Sequence, residues 1–142
     1  MAFIVETGTG LPNANSYVST AEADSYFTDR GVTSWAGADL LKQAALIKAT
    51  DYINGTYLDR FRGFYPILHT QALSWPRADA VDARGIFLTG VPKALKDATC
   101  EAALVALTGD LTAAQERGGA VKKVTVGPIS QEFADNAPAE TV

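Results

Sequence analysis

Histidine and cysteine are almost missing: the 142-residue chain has one of each, His69 and Cys100. A single cysteine excludes an internal disulfide and any cysteine-rich zinc site. The two residues stand far apart in sequence and make a poor metal set. A serine–histidine–aspartate arrangement would need His69, but no Gly-x-Ser-x-Gly turn presents a serine. No apolar run approaches the ~20 residues that a membrane helix needs. The opening Met1–Glu6 has neither a basic segment nor a long apolar stretch, so it does not read as a signal peptide.

Positive charge is also missing from both ends. Residues 1–29 and 124–142 contain no Lys or Arg and together sum to −7. All 12 basic residues lie between Arg30 and Lys123, where the balance is +3. The net charge of −4 therefore describes a mildly basic centre with acidic ends. Coating nucleic acid depends mainly on Lys and Arg at phosphates, and the overall balance disfavours it. Docking tails and an ordinary solvated surface both produce this distribution.

What is present suits one folded domain. Hydrophobic residues make up 47% and charged ones 20%, enough to build a single core. The fold class expected is mainly α, a small helical bundle with a long irregular loop over 56–91. A C-terminal β-strand or strand pair over 121–133 is expected beside it. Residues 1–133 are read as one domain and 134–142 as an acidic flexible tail.

Local signals place the helices. Ser19 with Glu22 three residues on forms a capping box, and Val18 can staple to Ala23. The first helix should run to about Arg30 and stop at Gly31. A second should run from about Ala38 to Asn54, ended by Asn54-Gly55. Its apolar residues cover much of the circumference, which predicts cover on more than one face. A third opens at Pro92 and ends near Thr108, before Gly109. Its uncharged stretch Ala102–Leu107 marks it as the central helix. A short helical piece is expected at 111–117. Val121–Val126 and Ile129–Phe133 flank Gly127-Pro128 and read as strand.

Chemistry is sparse. Gly8-Thr9-Gly10 lacks the third glycine of a dinucleotide loop and the Gly-Lys-Ser/Thr of a phosphate loop. No carboxylate pair stands in an acid/base setting. An enzyme is not expected, nor are catalytic, metal or cofactor residues. His69 reads as a solvent or interface histidine, Cys100 as a small buried hydrophobe. One cluster stands out: Arg60, Phe61, Arg62, Phe64 and Tyr65, then Trp75 and Arg77. Aromatics interleaved with arginines build stacking platforms for single-stranded DNA. The same residues are enriched at protein interfaces, or serve to anchor a loop.

The opening Ala2-Phe3-Ile4-Val5-Glu6-Thr7-Gly8-Thr9-Gly10-Leu11-Pro12-Asn13-Ala14-Asn15-Ser16-Tyr17-Val18 resembles that of tailed-phage head–tail connector (adaptor) proteins. The resemblance continues through Ala23–Phe27, Arg30-Gly31 and Ala44–Ile53. It is sharpest at Gln71-Ala72-Leu73-Ser74-Trp75-Pro76-Arg77 and at Pro92–Glu101, and closes at Lys123–Ile129. Members of this group are also labelled DnaT-like single-stranded DNA-binding proteins.

The resemblance implies a structural virion subunit, a homo-oligomeric ring of twelve copies beneath the portal protein. Its partners would be the portal, tail-side neck or stopper proteins, and the genomic double-stranded DNA passing through the channel, with no membrane. It would reside in the virion neck, and in the host cytoplasm during assembly. A single-stranded DNA-binding role is the alternative. Interface candidates are Arg60, Phe61, Arg62, Phe64, Tyr65, Trp75, Arg77, Val124, Val126, Ile129 and Phe133.

Overall fold

A computed structural model describes residues 2–64, 70–113, 123–126 and 128–132. The chain divides into two units, Met1–Leu111 and Thr112–Val142. The first is mainly helical, with α1 (Thr20–Asp29), α2 (Asp39–Tyr57) and α3 (Lys93–Thr108). None of these helices is long and apolar enough to cross a membrane.

The first helix forms for local reasons. The Ser19 side chain accepts the Glu22 N–H and the Glu22 carboxylate accepts the Ser19 N–H, so the capping box is closed. At the other end Gly31 takes φ +66°. There the Gly31 N–H reaches Thr28 O and the Val32 N–H reaches Phe27 O. This paired closure satisfies carbonyls that the helix itself cannot. Ala23 and Phe27 face the core.

The second helix runs past its expected stop. Gly55 is absent from the left-handed residues, and the helix continues to Tyr57 and then a 3-10 turn, Leu58–Arg60. The Asn54 side-chain oxygen accepts the Tyr17 hydroxyl at 2.6 Å. At its start, Leu40 and Leu41 are 78% and 60% exposed. Among the described residues, the expected cover on more than one face does not reach Leu40 and Leu41 in the first turn. The third helix starts one residue later than expected, with Pro92 as the cap (φ −61°, ψ 146°).

Helices α2 and α3 share the largest contact in the core. The positions they bury are mostly small: Ala45, Ala49 and Thr50 on α2, Thr99, Cys100 and Ala103 on α3. Small side chains let two helices approach closely. Within the Ala102–Leu107 stretch only Ala103 is fully buried, and Val105 is 44% exposed. The third helix is thus one wall of the core, not its fully enclosed centre.

Tyr17, Val18, Phe27 and Leu46 are the largest apolar side chains sealed from solvent. Trp35 packs on Phe27 at 5.0 Å between ring centroids. Its indole N–H donates to Asp24, which also pairs with Lys42 at 2.9 Å.

The N-terminal segment is tied down by Glu6, a residue whose role was not legible in the sequence. Glu6 is a charged side chain that is only 2% exposed. Its Oε1 accepts the N–H groups of Gly8, Thr9 and Gly10, each at 2.9 Å. Oε2 accepts that of Leu11 at 2.8 Å. Burying a carboxylate is costly unless it is hydrogen-bonded, and here four amides converge on it.

In the second unit, β1 (Lys123–Val126) and β2 (Ile129–Glu132) pair antiparallel in the register Lys123↔Glu132 to Val126↔Ile129. Residues 114–122 and 133–142, with the expected tail, lie outside the described residues, as do Tyr65, His69 and Phe133.

Candidate binding face between Tyr57 and Phe87

The segment after α2 contains more order than its many Gly and Pro residues suggest. Phe64 and Ala78 exchange backbone hydrogen bonds at 2.8 and 2.7 Å. Val81 faces Phe87 in a second antiparallel bridge, flanked by Leu88 N–H to Ala80 O and Asp82 N–H to Ile86 O. The backbone can close here because residue 63 is glycine. Its φ is +80°, and a Cβ would strike Ala78 O and stand 2.8 Å from Ala80 N.

Arg77 holds the layer together. Its Nε donates to Arg62 O at 2.9 Å, Nη2 to Gly63 O at 3.0 Å and Nη1 to Ser74 O at 3.3 Å. A planar five-donor fork suits this task, where Lys would offer a single point charge. The guanidinium also lies 6.0 Å from the Phe61 ring. Arg77 therefore acts as an internal brace.

Trp75 is likewise turned inward. It is 4% exposed and meets Phe61 edge-on at 5.9 Å. Its backbone N–H donates to the Tyr17 hydroxyl at 3.3 Å. Its indole N–H is buried without a hydrogen-bond partner among the described residues.

The rest of the cluster faces solvent. Arg60 is exposed and sits 6.0 Å from the Tyr57 ring. Arg62 is exposed and donates to Val81 O at 3.2 Å. Phe64 is 72% exposed. Of the residues singled out from sequence, the structure thus gathers half-buried Phe61 and Arg77 around buried Trp75 and leaves Arg60, Arg62 and Phe64 exposed. Tyr65 and Phe133 are not described. Val124, Val126 and Ile129 lie at register positions of the second unit's strands.

Sequence reasoning passed over the turn that completes this face. Asp82 Oδ1 accepts the N–H groups of Arg84 at 2.8 Å and Ile86 at 3.0 Å. Its Oδ2 takes two bonds from the Arg84 guanidinium. The backbone donation from Ile86 comes first among the causes that hold the Asp82 carboxyl below its usual value, followed by the bond from Arg84. Gly85 follows with φ +81°. The visible signal was Asp82-Ala83-Arg84-Gly85, an Asp-initiated turn with glycine in place.

Elsewhere the titratable groups serve the fold. Burial pushes the Cys100 thiol up to about 12, which keeps it protonated and inert as a nucleophile. The Glu101 carboxylate, accepting the Tyr26 hydroxyl at 2.7 Å, pushes that phenol up to about 12. Among the described residues no group of three or more His, Cys, Asp or Glu could hold a metal ion.

Comparison with known families decides the relationship. The family model described as "Putative DnaT-like ssDNA binding protein" matches residues 1–142. The chain belongs to that family. The match runs through both units, so the described hairpin and the helical unit fall under one family model. The DnaT-like description agrees with the single-stranded DNA alternative, and not with the connector expectation. Among curated proteins and among solved structures, none matches the chain.

Proposed function

We propose that this member of the DnaT-like family is a non-enzymatic structural subunit that works through protein contacts: a head–tail adaptor of a phage neck. The carrying observation is the inward use of Trp75 and Arg77. A stacking platform presents flat aromatic faces and free cations. Here the indole is buried and the guanidinium is bonded to three carbonyls. Exposed beside Arg60 and Arg62 are large apolar side chains, with Leu40, Leu41, Phe64, Ile86 and Phe87 each more than half exposed. Exposed apolar side chains of this size suit protein docking. The motif resemblance along nearly the whole chain supplies the connector assignment. In this reading the subunits form a ring under the portal, and the 121–133 arm and the 134–142 tail reach a partner.

Particle reconstruction, or mass measurement of the co-purified portal complex, tests it. The expected result is this subunit in the neck. Its absence from particles sinks the adaptor reading. Removing 134–142 should block connector assembly while the helical unit keeps its melting transition.

A second reading, single-stranded DNA binding, has the family description in its favour, together with exposed Arg60 and Arg62 shortly before exposed Phe64. Fluorescence anisotropy with an oligonucleotide at physiological salt separates the two. The adaptor reading expects binding no tighter than the non-specific range, a Kd of roughly 10⁻⁶ M or weaker. Tight, salt-dependent binding that disappears in an Arg60→Ala/Arg62→Ala double variant would establish the second reading.

A further inference from the structure

Asn54-Gly55 is the one Asn-Gly pair in the sequence, and nothing in the described fold requires its glycine. Gly55 lies inside α2 and outside the left-handed residues, and an added Cβ would meet nothing within 4 Å beyond its own helix. A glycine within a helix costs stability relative to alanine. What the pair carries instead is reactivity. With no Cβ, glycine gives its own nitrogen the freest approach to the side chain of the asparagine before it.

The reaction is a displacement. The Gly55 nitrogen attacks Asn54 Cγ, the N–Cγ bond forms, the Cγ–Nδ2 bond breaks, and ammonia leaves with the proton from Gly55. Water then opens the cyclic imide. Addition at the side-chain carbonyl restores an ordinary main chain, with aspartate at position 54. Addition at the main-chain carbonyl gives isoaspartate, in which the main chain runs through Cβ. Water is the only co-reactant.

The fold restrains both partners. Inside α2 the Gly55 N–H belongs to the helical ladder, which points it back along the helix. The Asn54 amide is held from the other side, because its Oδ1 accepts the Tyr17 hydroxyl at 2.6 Å. Tyr17 is fully buried and its oxygen also takes the Trp75 N–H at 3.3 Å, so this latch is anchored away from α2. The restraint sits near an end, since only Gly55, Thr56 and Tyr57 follow Asn54 in the helix. Helix ends are the first parts to open. Gly55 is exposed, and with Asn54 it lines a cleft of about 510 Å³, so the pair lies at the solvent boundary.

We propose that Asn54-Gly55 is a self-modification site, held silent by α2 and latched by the Tyr17 hydroxyl. A chain whose α2 end opens converts to aspartate and isoaspartate at position 54. Isoaspartate lengthens the main chain by a carbon, so the helix cannot reclose in register and Tyr17 loses its acceptor. Opening there is recorded irreversibly.

Peptide mapping by mass spectrometry of the full chain, kept in warm, mildly alkaline buffer, tests this. Folded wild type should convert slowly at position 54, and urea-unfolded wild type far faster. Asn13 and Asn15, followed by Ala14 and Ser16, are internal references. Modification this slow reads the population of the open form. Tyr17→Phe, shown to be folded by circular dichroism, should convert roughly fivefold faster than wild type or more. Gly31→Ala loses stability at the end of α1 without touching the latch, and should convert at close to the wild-type rate. Gly55→Ala should slow conversion sharply even in urea.

Folded wild type that converts as fast as the unfolded chain overturns the proposal. So does an unfolded chain that stays intact at position 54. Equal rates in Tyr17→Phe and Gly31→Ala would assign the shielding to global stability and overturn the latch. If Tyr17→Phe does not fold, amide exchange in wild type decides: the Gly55 and Trp75 amides should open together, and a Gly55 amide that frays alone overturns the latch.

Discussion

The Tyr17 hydroxyl donates to Asn54 Oδ1 at 2.6 Å, across 37 residues of sequence. Tyr17 is fully buried, and the same oxygen accepts the backbone N–H of Trp75 at 3.3 Å. One phenol thus ties the N-terminal segment, the end of α2 and the Trp75 loop to each other.

Tyr17→Phe keeps the ring and removes the oxygen. It leaves a buried amide and a carbonyl without their partner, a loss of about 1–3 kcal/mol. Urea unfolding should show a lower midpoint with an unchanged slope. An unchanged midpoint would mean that water replaces the hydroxyl at no cost.

Glu6→Ala should be more damaging. Four N–H groups, those of Gly8, Thr9, Gly10 and Leu11, lose a charged acceptor at once. Hydrogen bonds to charged groups contribute about 1.5–3 kcal/mol each, though not additively. A loss of at least ~3 kcal/mol is expected, with fast amide exchange at residues 8–11. Slow exchange there in the variant would refute the role assigned to Glu6.

Gly63→Ala and Gly31→Ala form a controlled pair. Both glycines have positive φ, but an added Cβ meets nothing within 4 Å at Gly31 and strikes backbone at Gly63. Gly31→Ala should lose about 1 kcal/mol, the cost of the left-handed conformation alone. Gly63→Ala should lose clearly more and should break the Phe64–Ala78 pairing, read from amide chemical shifts. Equal losses would show that the loop can shift without penalty.

Acid should weaken the Asp24 anchor. The bond from Lys42 is the first cause holding the Asp24 carboxyl below its usual 3.8. A lowered folded value means that the unfolded chain binds the proton more readily, so stability rises with pH through this range. The contribution is present above 3.8 and lost as pH falls through the folded value. Asp24→Asn should flatten this part of the acid limb in pH-dependent melting. A limb as steep as wild type would assign it to other carboxylates.

Local chemistry was the legible part of the fold. Ser19, Glu22 and Gly31 act within a few residues of one another, and their signals delimit α1 correctly. Asn54-Gly55 misled because Gly55 can take a left-handed turn but is not obliged to, and here it stays out of that region while the helix runs on to Tyr57. Glu6 was opaque for a different reason. Its partners are backbone amides, which no side-chain pattern advertises. The aromatic–arginine cluster was visible as a composition, but composition does not show which way a side chain turns. Arg77 is held because the carbonyls of Arg62, Gly63 and Ser74 converge on its guanidinium, and Trp75 is buried edge-on against Phe61.

The Glu6 loop also bears on how nucleic acid would meet this chain. Successive backbone amides in a glycine-rich bend make a natural seat for phosphate. Here that seat already holds a carboxylate from its own chain. A phosphate approaching the Gly8–Leu11 bend would find those amides already engaged.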